Sequence, residues 1–115
     1  MKLPNAENAV VEREKITDYL LSASHRYGAS KARFFGAFGF RAEEWWTLAE
    51  ALRKHGRDHD VTKVRETGFG PRYEVEGGIS APDGRHPRVC TVWQLDRGAV
   101  APRLITAYPT RELHD

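Results

Sequence analysis

The spacing of hydrophobic residues changes once along this chain, close to Asp60. Before that point, apolar residues such as Ile16, Tyr19 and Leu20 recur three and four positions apart, which is typical of an amphipathic helix. After it, apolar and polar residues alternate, as in strands with one buried face, and turn-forming sequences separate the runs. Helical segments followed by consecutive strands predict an α+β fold, in which about three helices cover one face of a four-stranded antiparallel sheet.

The 115 residues fit a single domain, 1–115, with a helical half at 12–55 and an antiparallel-sheet half at 61–108. A domain of this size buries enough surface for one hydrophobic core. Cys90 is the only cysteine, which excludes an internal disulfide. The start of the chain lacks the apolar core of a signal peptide, and no run approaches the roughly 20 apolar residues of a membrane helix. We therefore expect a cytoplasmic protein without a membrane partner.

Turn-forming residues divide the helical half into three predicted helices. The first is expected from about Glu12 to Ser22. Ser30 is suited to cap the second helix, and Gly39 is suited to stop it. Gly56 is expected to end the third. The second and third helices are predicted at 31–37 and 42–55, and the apolar side chains assigned to the core are Phe34, Phe38, Trp45, Leu48 and Leu52.

Four runs in the sheet half show the alternation of strands. They are Val61–Glu66, Arg72–Glu76, Arg88–Leu95 and Arg103–Tyr108. In the third run, Trp93 and Leu95 share one face with Val89 and Thr91, and we expect this face to join the helices in one core. The sequence Pro82-Asp83-Gly84-Arg85 predicts a turn, because proline presets its backbone torsion and glycine tolerates positive φ.

The clearest candidates for catalysis are His25 and Lys31, which stand in the pattern His-x-x-Gly-x-x-Lys. Histidine exchanges protons near neutral pH, and a lysine at a helix N-terminus adds a cation to exposed backbone N–H groups. Together they are suited to deprotonate a ribose 2′-hydroxyl and to stabilise a phosphorane. The alternative is structural: His25 caps a loop, and Lys31 is a solvated helix residue.

The last predicted strand supplies further candidates. Thr106 and Tyr108 share one of its faces, where a hydroxyl and a phenol can position a phosphate; packing within the sheet is the alternative, because both residues are good strand formers. Arginine binds phosphate through parallel N–H donors, although ordinary solvated charge is the simpler explanation of each arginine taken alone. The arginines that we assign to substrate binding are Arg72, Arg85 and Arg103, which stand at strand ends or turns.

No metal site and no cofactor is predicted. His55 and His59 are four positions apart, as two ligands on one helix would be, but Gly56 interrupts that helix and no third ligand is evident. The sequence also lacks a phosphate-cradling glycine loop and a dinucleotide-binding motif. The formal net charge is +2 and the isoelectric point is near 8.9, values that permit an anionic partner without requiring one.

The stretch LPNAENAVVEREKITDYLLSASHRYGASKARFFGAFGF resembles the start of a small family of bacterial domains of unknown function. The family pattern runs approximately Lys-hydrophobic-x-x-Tyr-Leu-Leu, His-Pro-x-Gly-x-x-Lys-Ala, Phe-Phe and Gly-Phe. The chain matches this pattern at Lys15, Tyr19-Leu20-Leu21, His25, Gly28, Lys31-Ala32, Phe34-Phe35 and Gly39-Phe40, and carries Arg26 in place of the proline. Thr91-Val92-Trp93 and Leu104-Ile105-Thr106-Ala107-Tyr108-Pro109 also fit, so the resemblance covers nearly the whole chain.

A similar block occurs in toxin domains of phage head and polymorphic-toxin proteins, which resemble metal-independent ribonucleases of the barnase, EndoU and RelE type. The resemblance implies a small toxin-like ribonuclease, with His25 as general base or acid and Lys31, helped by an arginine, stabilising the phosphorane. Thr106 or Tyr108 would position the phosphate. The implied partners are RNA and a small cognate protein encoded nearby. Two alternatives remain: a non-catalytic protein-binding module, such as the antitoxin of a toxin–antitoxin pair, and a nucleic-acid binder without chemistry.

Overall fold

The computed structural model describes residues 1–110. Its first half contains the helices: an α-turn at Arg13–Lys15 that continues as a π-turn at Ile16–Leu20 (together α1), α2 at Ala29–Ala37 and α3 at Trp45–Asp58. Short 3-10 turns lie at Ala6–Asn8 and Ala42–Glu44. The strands are β1 at Val61–Thr67, β2 at Gly70–Gly78, β3 at Arg88–Gln94 and β4 at Arg103–Pro109. Within residues 1–110, the helices are all too short or too polar to cross a membrane.

The four strands form one antiparallel sheet in the order β1-β2-β3-β4, and the helices pack against it. This confirms the predicted α+β architecture. All four predicted strands are present, and β2 extends two residues beyond its prediction at each end. At the β4 edge, the N–H of Val10 donates to the carbonyl of Pro102 at 2.8 Å and its carbonyl accepts the N–H of Leu104 at 2.9 Å, so the N-terminal segment runs beside that strand.

At the centre of the core, α3 packs on Trp93 of β3, which is fully buried as predicted. The helix continues through Gly56 to Asp58, so the prediction that this glycine ends it is wrong. A Cβ atom at position 56 would lie 2.7 Å from the ring of Trp93, and the glycine therefore lets the helix backbone approach the indole. The other predicted core residues of this region are Leu48 and Leu52, which are fully buried, and Trp45 and Leu95, which are half-buried at its margin.

A buried histidine, His55, links α3 to the sheet. Its Nδ1 lies 3.0 Å from the hydroxyl of Thr91, which in turn accepts the indole N–H of Trp93 at 2.8 Å. Its Nε2 lies 3.0 Å and 3.1 Å from the carbonyls of Gly77 and Val89. Every polar atom of the ring is therefore satisfied in the neutral form that carries its proton on Nε2. Burial lowers the pKa of His55 from its ordinary value of 6.5 to about 4, because the charged ring would lose its hydration.

The second helix, α2, starts two residues earlier than predicted and presents a different ring to the core. It has no side-chain cap, because Ser30 lies within its first turn. Phe35 is fully buried, whereas Phe34 and Phe38, assigned to the core by their spacing, are half-buried. Aromatic rings stand close together in this helix, so their spacing alone does not select the central one. Gly39 follows with φ of 101°, a conformation in which glycine stops a helix as predicted.

Candidate functional site

The loop between α1 and α2 is built around His25. Nδ1 of its imidazole accepts the backbone N–H groups of Tyr27 and Gly28, both at 3.0 Å. A ring nitrogen that accepts two N–H donors carries no proton, so the proton of the neutral ring lies on Nε2. His25 therefore caps the loop with one nitrogen and has an N–H donor on the other.

Gly28 fixes this loop against α1. It is buried, and a Cβ atom at this position would overlap the carbonyl oxygen of Tyr19. The same carbonyl accepts the N–H of Ser22 at 3.2 Å, which ends the π-turn. The spacing His-x-x-Gly thus has a structural reason: the histidine holds the loop amides, and the glycine lets the loop reach α1.

The π-turn directs Tyr19 towards the sheet. The N–H of Leu21 donates at 2.8 Å to the carbonyl five residues back, which is the hydrogen bond that defines a π-turn. Ile16 and Leu20 are fully buried, while the hydroxyl of Tyr19 lies 2.9 Å from the hydroxyl of Thr106 on β4. Single π-turns inside helices recur at functional sites.

These elements enclose a groove beside β4 with a volume of about 450 Å³, which we name the Tyr19 groove. Its lining residues are Lys15, Tyr19, His25, Tyr27, Ile105 and Thr106, without a carboxylate among them. The ammonium groups of Lys15 and Lys31 lie 5.5 Å and 5.4 Å from the centre of the Tyr19 ring, within cation–π range. Neither lysine forms a salt bridge within residues 1–110. The groove is therefore cationic and rich in hydrogen-bond donors, which suits an anionic ligand.

Comparison with known proteins gives a family and a structural neighbour. The family model described as a domain of unknown function (DUF6883) matches residues 2–111. The chain belongs to the DUF6883 family. A chain in the solved contact-dependent growth inhibition toxin - immunity protein complex from Klebsiella pneumoniae 342 is similar to it, with a TM-score of 0.71 and 19% sequence identity over 94% of this chain and 98% of that chain. At that identity the likeness shows a shared fold. No curated protein matches the sequence.

In this DUF6883 chain, two of the four predicted catalytic residues, His25 and Thr106, line the Tyr19 groove. The ammonium group of Lys31 lies 5.4 Å from the centre of the Tyr19 ring, and this lysine is not among the residues that line the groove. Tyr108 is not among the residues that line the groove; it shares a strand face with Thr106, two positions further along β4, and pairs with the buried Cys90 of β3. The hydrogen bond to the Cys90 thiol raises the pKa of the Tyr108 phenol.

The three arginines assigned to substrate binding share no hydrogen-bond partner with one another, and the residues lining the groove do not include them. Arg72 donates to the side chain of Gln94 at 3.0 Å, Arg85 donates to Asp83 at 2.8 Å and to the carbonyl of Ala37 at 3.1 Å, and Arg103 donates to Asp96 at 2.8 Å. These contacts lower the pKa values of the Asp83 and Asp96 carboxyls. The fold therefore does not bring the arginines together with His25.

Four groove residues were missed by the site predictions from sequence, namely Lys15, Tyr19, Tyr27 and Ile105. A signal existed for two of them, because Lys15 and Tyr19 stand four positions apart in a helical segment and therefore share one face. Tyr19 also fits the hydrophobic spacing of α1, which favours a place in the core. Only the π-turn, which hydrophobic spacing does not reveal, turns its hydroxyl to β4.

A second cleft of about 270 Å³ lies beside the C-terminal half of α3. Three of its polar side chains are engaged within the chain: Nε2 of His59 lies 2.8 Å from the carbonyl of Gly78, and Lys54 donates to Asp58 at 2.6 Å. The contact with Lys54 lowers the pKa of the Asp58 carboxyl. Within residues 1–110, three or more metal-ligating side chains do not come together. The four-residue spacing of His55 and His59 serves to attach α3 to β2.

Proposed function

We propose that this chain is a small toxin-like ribonuclease that binds the scissile phosphate of RNA in the Tyr19 groove and cleaves it by metal-independent transesterification. The observation that carries the proposal is the composition of the groove. Lys15, the imidazole of His25 and the paired hydroxyls of Tyr19 and Thr106 line a volume of about 450 Å³, and the ammonium group of Lys31 lies beside it, 5.4 Å from the centre of the Tyr19 ring. Neither lysine forms a salt bridge within residues 1–110. The shared fold with a chain of a toxin–immunity complex supports the same class of protein.

The two lysines act on the charge that develops during the reaction. The ribose 2′-hydroxyl gives its proton to solvent water as its oxygen bonds to phosphorus, and a five-coordinate phosphorane gains negative charge. The bond between phosphorus and the 5′-oxygen then breaks, and the 5′-oxygen takes a proton from water. Cations held where this charge appears stabilise the transition state more than the ground state. Lys15 and Lys31 are held beside the Tyr19 ring, and Lys31 also donates to the carbonyl of Tyr27 at 3.3 Å.

In this proposal His25 acts as a hydrogen-bond donor. Of the two roles that the sequence predicted for it, general base or general acid, the role of base is therefore excluded. A basic Nε2 would require a proton on Nδ1, where the N–H groups of Tyr27 and Gly28 already donate at 3.0 Å. The Nε2–H is instead suited to donate to a non-bridging phosphate oxygen. The paired hydroxyls of Tyr19 and Thr106 offer a further donor to the same phosphate.

RNA cleavage in the presence of EDTA tests the proposal. Purified protein is incubated with total RNA and with a labelled single-stranded oligoribonucleotide, and we expect products that end in a 2′,3′-cyclic phosphate. The matching 2′-deoxy strand should stay intact, because it lacks the attacking oxygen. RNA that remains intact at a large excess of protein would overturn the proposal.

Two variants test the role of the groove in cleavage without disturbing the fold. Asparagine caps nearby backbone N–H groups through its side-chain oxygen, so His25→Asn should keep the loop and remove the donor at Nε2. We expect His25→Asn and Lys31→Ala to lower the cleavage rate by about 10²-fold with little change in melting temperature. Lys63→Ala, which removes an exposed lysine of β1, is the matched control and should cleave normally. Full cleavage activity of both groove variants would show that the catalytic site lies outside the Tyr19 groove.

A non-catalytic protein-binding module is the second candidate function. It is favoured by the position of His25, whose Nδ1 is engaged by two backbone amides and so keeps the ring from serving as a base at Nε2. A module of this kind predicts harmless overexpression and a stable complex with the product of a neighbouring gene. Growth arrest on induction, relieved by that product, would favour the toxin instead.

A further inference from the structure

We infer that Tyr27 and Ile105 form a base-binding subsite of the Tyr19 groove, in which the Tyr27 ring stacks on the nucleobase next to the bound phosphate. The inference rests on the proposed function and deepens it, because it defines the substrate as single-stranded RNA. Bases within an RNA duplex are stacked on each other, so an aromatic side chain reaches them only in loops, bulges and ends.

Tyr27 is an exposed aromatic ring carried by an anchored backbone. The residue is 66% exposed, yet its N–H donates to His25 and its carbonyl accepts the ammonium group of Lys31 at 3.3 Å. Loop tips with exposed side chains are usually free to move, whereas this one is tied at both of its backbone polar groups. The backbone that presents the ring to solvent is therefore held in place.

The surroundings of the ring distinguish it from the other exposed aromatic residues. Trp46 and Phe69 are 52% and 74% exposed, and they do not line the Tyr19 groove. Tyr27 lines it, and the guanidinium of Arg26 lies 5.4 Å from its ring centre. An arginine beside a stacking ring adds a cation–π contact and neutralises phosphate charge.

The groove therefore divides into two chemical regions that match the two parts of a nucleotide. The lysines, the His25 N–H and the hydroxyls offer charge and donors to a phosphate. Tyr27 and Ile105 offer aromatic and apolar surface to the flat face of a base. Stacking of this kind accepts every base, because each one has a π-face. The subsite predicts binding of single strands with weak sequence preference.

Fluorescence anisotropy with uncleavable strands tests the subsite. The probes are a labelled 2′-fluoro RNA strand of about 12 nucleotides and an abasic strand of the same length, which keeps the phosphates and lacks the bases. We expect Tyr27→Ala to weaken binding of the base-bearing strand by roughly 5- to 150-fold and to leave binding of the abasic strand unchanged. Tyr27→Trp should bind at least as tightly as the unmodified protein. Phe69→Ala is the matched control for loss of an exposed aromatic ring and should change neither affinity.

The outcomes separate the subsite from the proposed function. If Tyr27→Ala binds the base-bearing strand as tightly as the unmodified protein, the subsite is wrong, and the same holds if both strands weaken equally. In either case, cleavage by the unmodified protein would still support the ribonuclease. If the unmodified protein binds neither strand and cuts no RNA, the proposed function fails and the subsite fails with it.

Discussion

The hydroxyl of Thr91 lies 3.0 Å from Nδ1 of His55 inside the core. Because that hydroxyl already accepts the indole N–H of Trp93 at 2.8 Å, its own proton is directed at the imidazole. His55 must therefore remain an acceptor at Nδ1, and a second proton on the ring would oppose the Thr91 hydroxyl. The contact between α3 and the sheet depends on an uncharged histidine.

Acid should destabilise the fold through His55. The unfolded ring binds a proton near pH 6.5 and the folded ring only near pH 4, so protonation between these values favours the unfolded state. The stabilisation that the neutral His55 gives to the fold is complete above pH 6.5 and is lost as the pH falls towards 4. From this group alone, we expect the free energy of unfolding to be about 2 kcal/mol lower at pH 5 than at pH 7. Urea titrations at the two pH values measure the difference.

The control for this prediction is His86→Ala, which removes an exposed histidine. This variant should keep the pH dependence of the unmodified protein, since the His86 side chain is exposed and takes no part in the buried contact between α3 and the sheet. A free energy of unfolding that is equal at pH 5 and pH 7 in the unmodified protein would contradict the assignment of His55.

Gly56→Ala should destabilise the protein although alanine is the better helix former. The new methyl group would lie 2.7 Å from the Trp93 ring, and overpacking of this kind costs about 1–3 kcal/mol. Gly36→Ala is the matched control on α2, because a Cβ atom there meets no other atom within 4 Å. It should stabilise the fold by roughly 0.5–1 kcal/mol. Chemical denaturation measures the free energy of unfolding of both variants. If both substitutions change it in the same direction, the prediction is refuted.

Truncation of Phe35 should lower the free energy of unfolding much more than truncation of Phe38. Phe35→Ala leaves a cavity in the core and should cost about 3–5 kcal/mol, because the ring is fully buried. Phe38→Ala should cost clearly less, since its half-buried ring mainly supports the guanidinium of Arg85, which lies 4.3 Å from the ring centre. Thermal melting of the pair tests the order. A larger loss of stability for Phe38→Ala would contradict the assignment of Phe35 as the central core ring of α2.

The hydroxyls of Tyr19 and Thr106 should be energetically coupled. A double-mutant cycle of Tyr19→Phe and Thr106→Val removes the 2.9 Å contact from either side. We expect a coupling energy of about 0.5–1.5 kcal/mol in unfolding, the range of one net hydrogen bond. Additive effects of the two substitutions would show that this contact does not hold α1 to β4.

Much of the architecture could be predicted because it depends on local spacing. The change of period near Asp60 separates helices from strands, and Trp93 lies on the inner face that strand alternation assigns to it. Gly39 stops α2 because a positive φ is a local property of the chain. Features of this kind need only a few neighbouring residues to specify them.

Features that depend on contacts between distant segments could not be predicted. Gly56 resembles a helix stop in the sequence, and only the position of Trp93, 37 residues later, explains why it lies inside the helix. The Tyr19 groove similarly requires Thr106, which reaches α1 across the β4 edge. The site prediction assigned His25, Lys31 and Thr106 to one reaction, whereas the groove lined by His25 and Thr106, and the place of Tyr19 in it, became visible only with the tertiary structure.

The two nitrogens of His25 have separate tasks, and this division affects the entropy of ligand binding. A side chain that becomes ordered only when a ligand arrives costs about 0.5–1.5 kcal/mol of binding free energy. The ring of His25 is already held in one orientation and one tautomer by the two amides on Nδ1. Its Nε2–H is therefore oriented before an anion enters. The entropy cost of ordering the ring arises when the protein folds, so it does not weaken the binding of the anion.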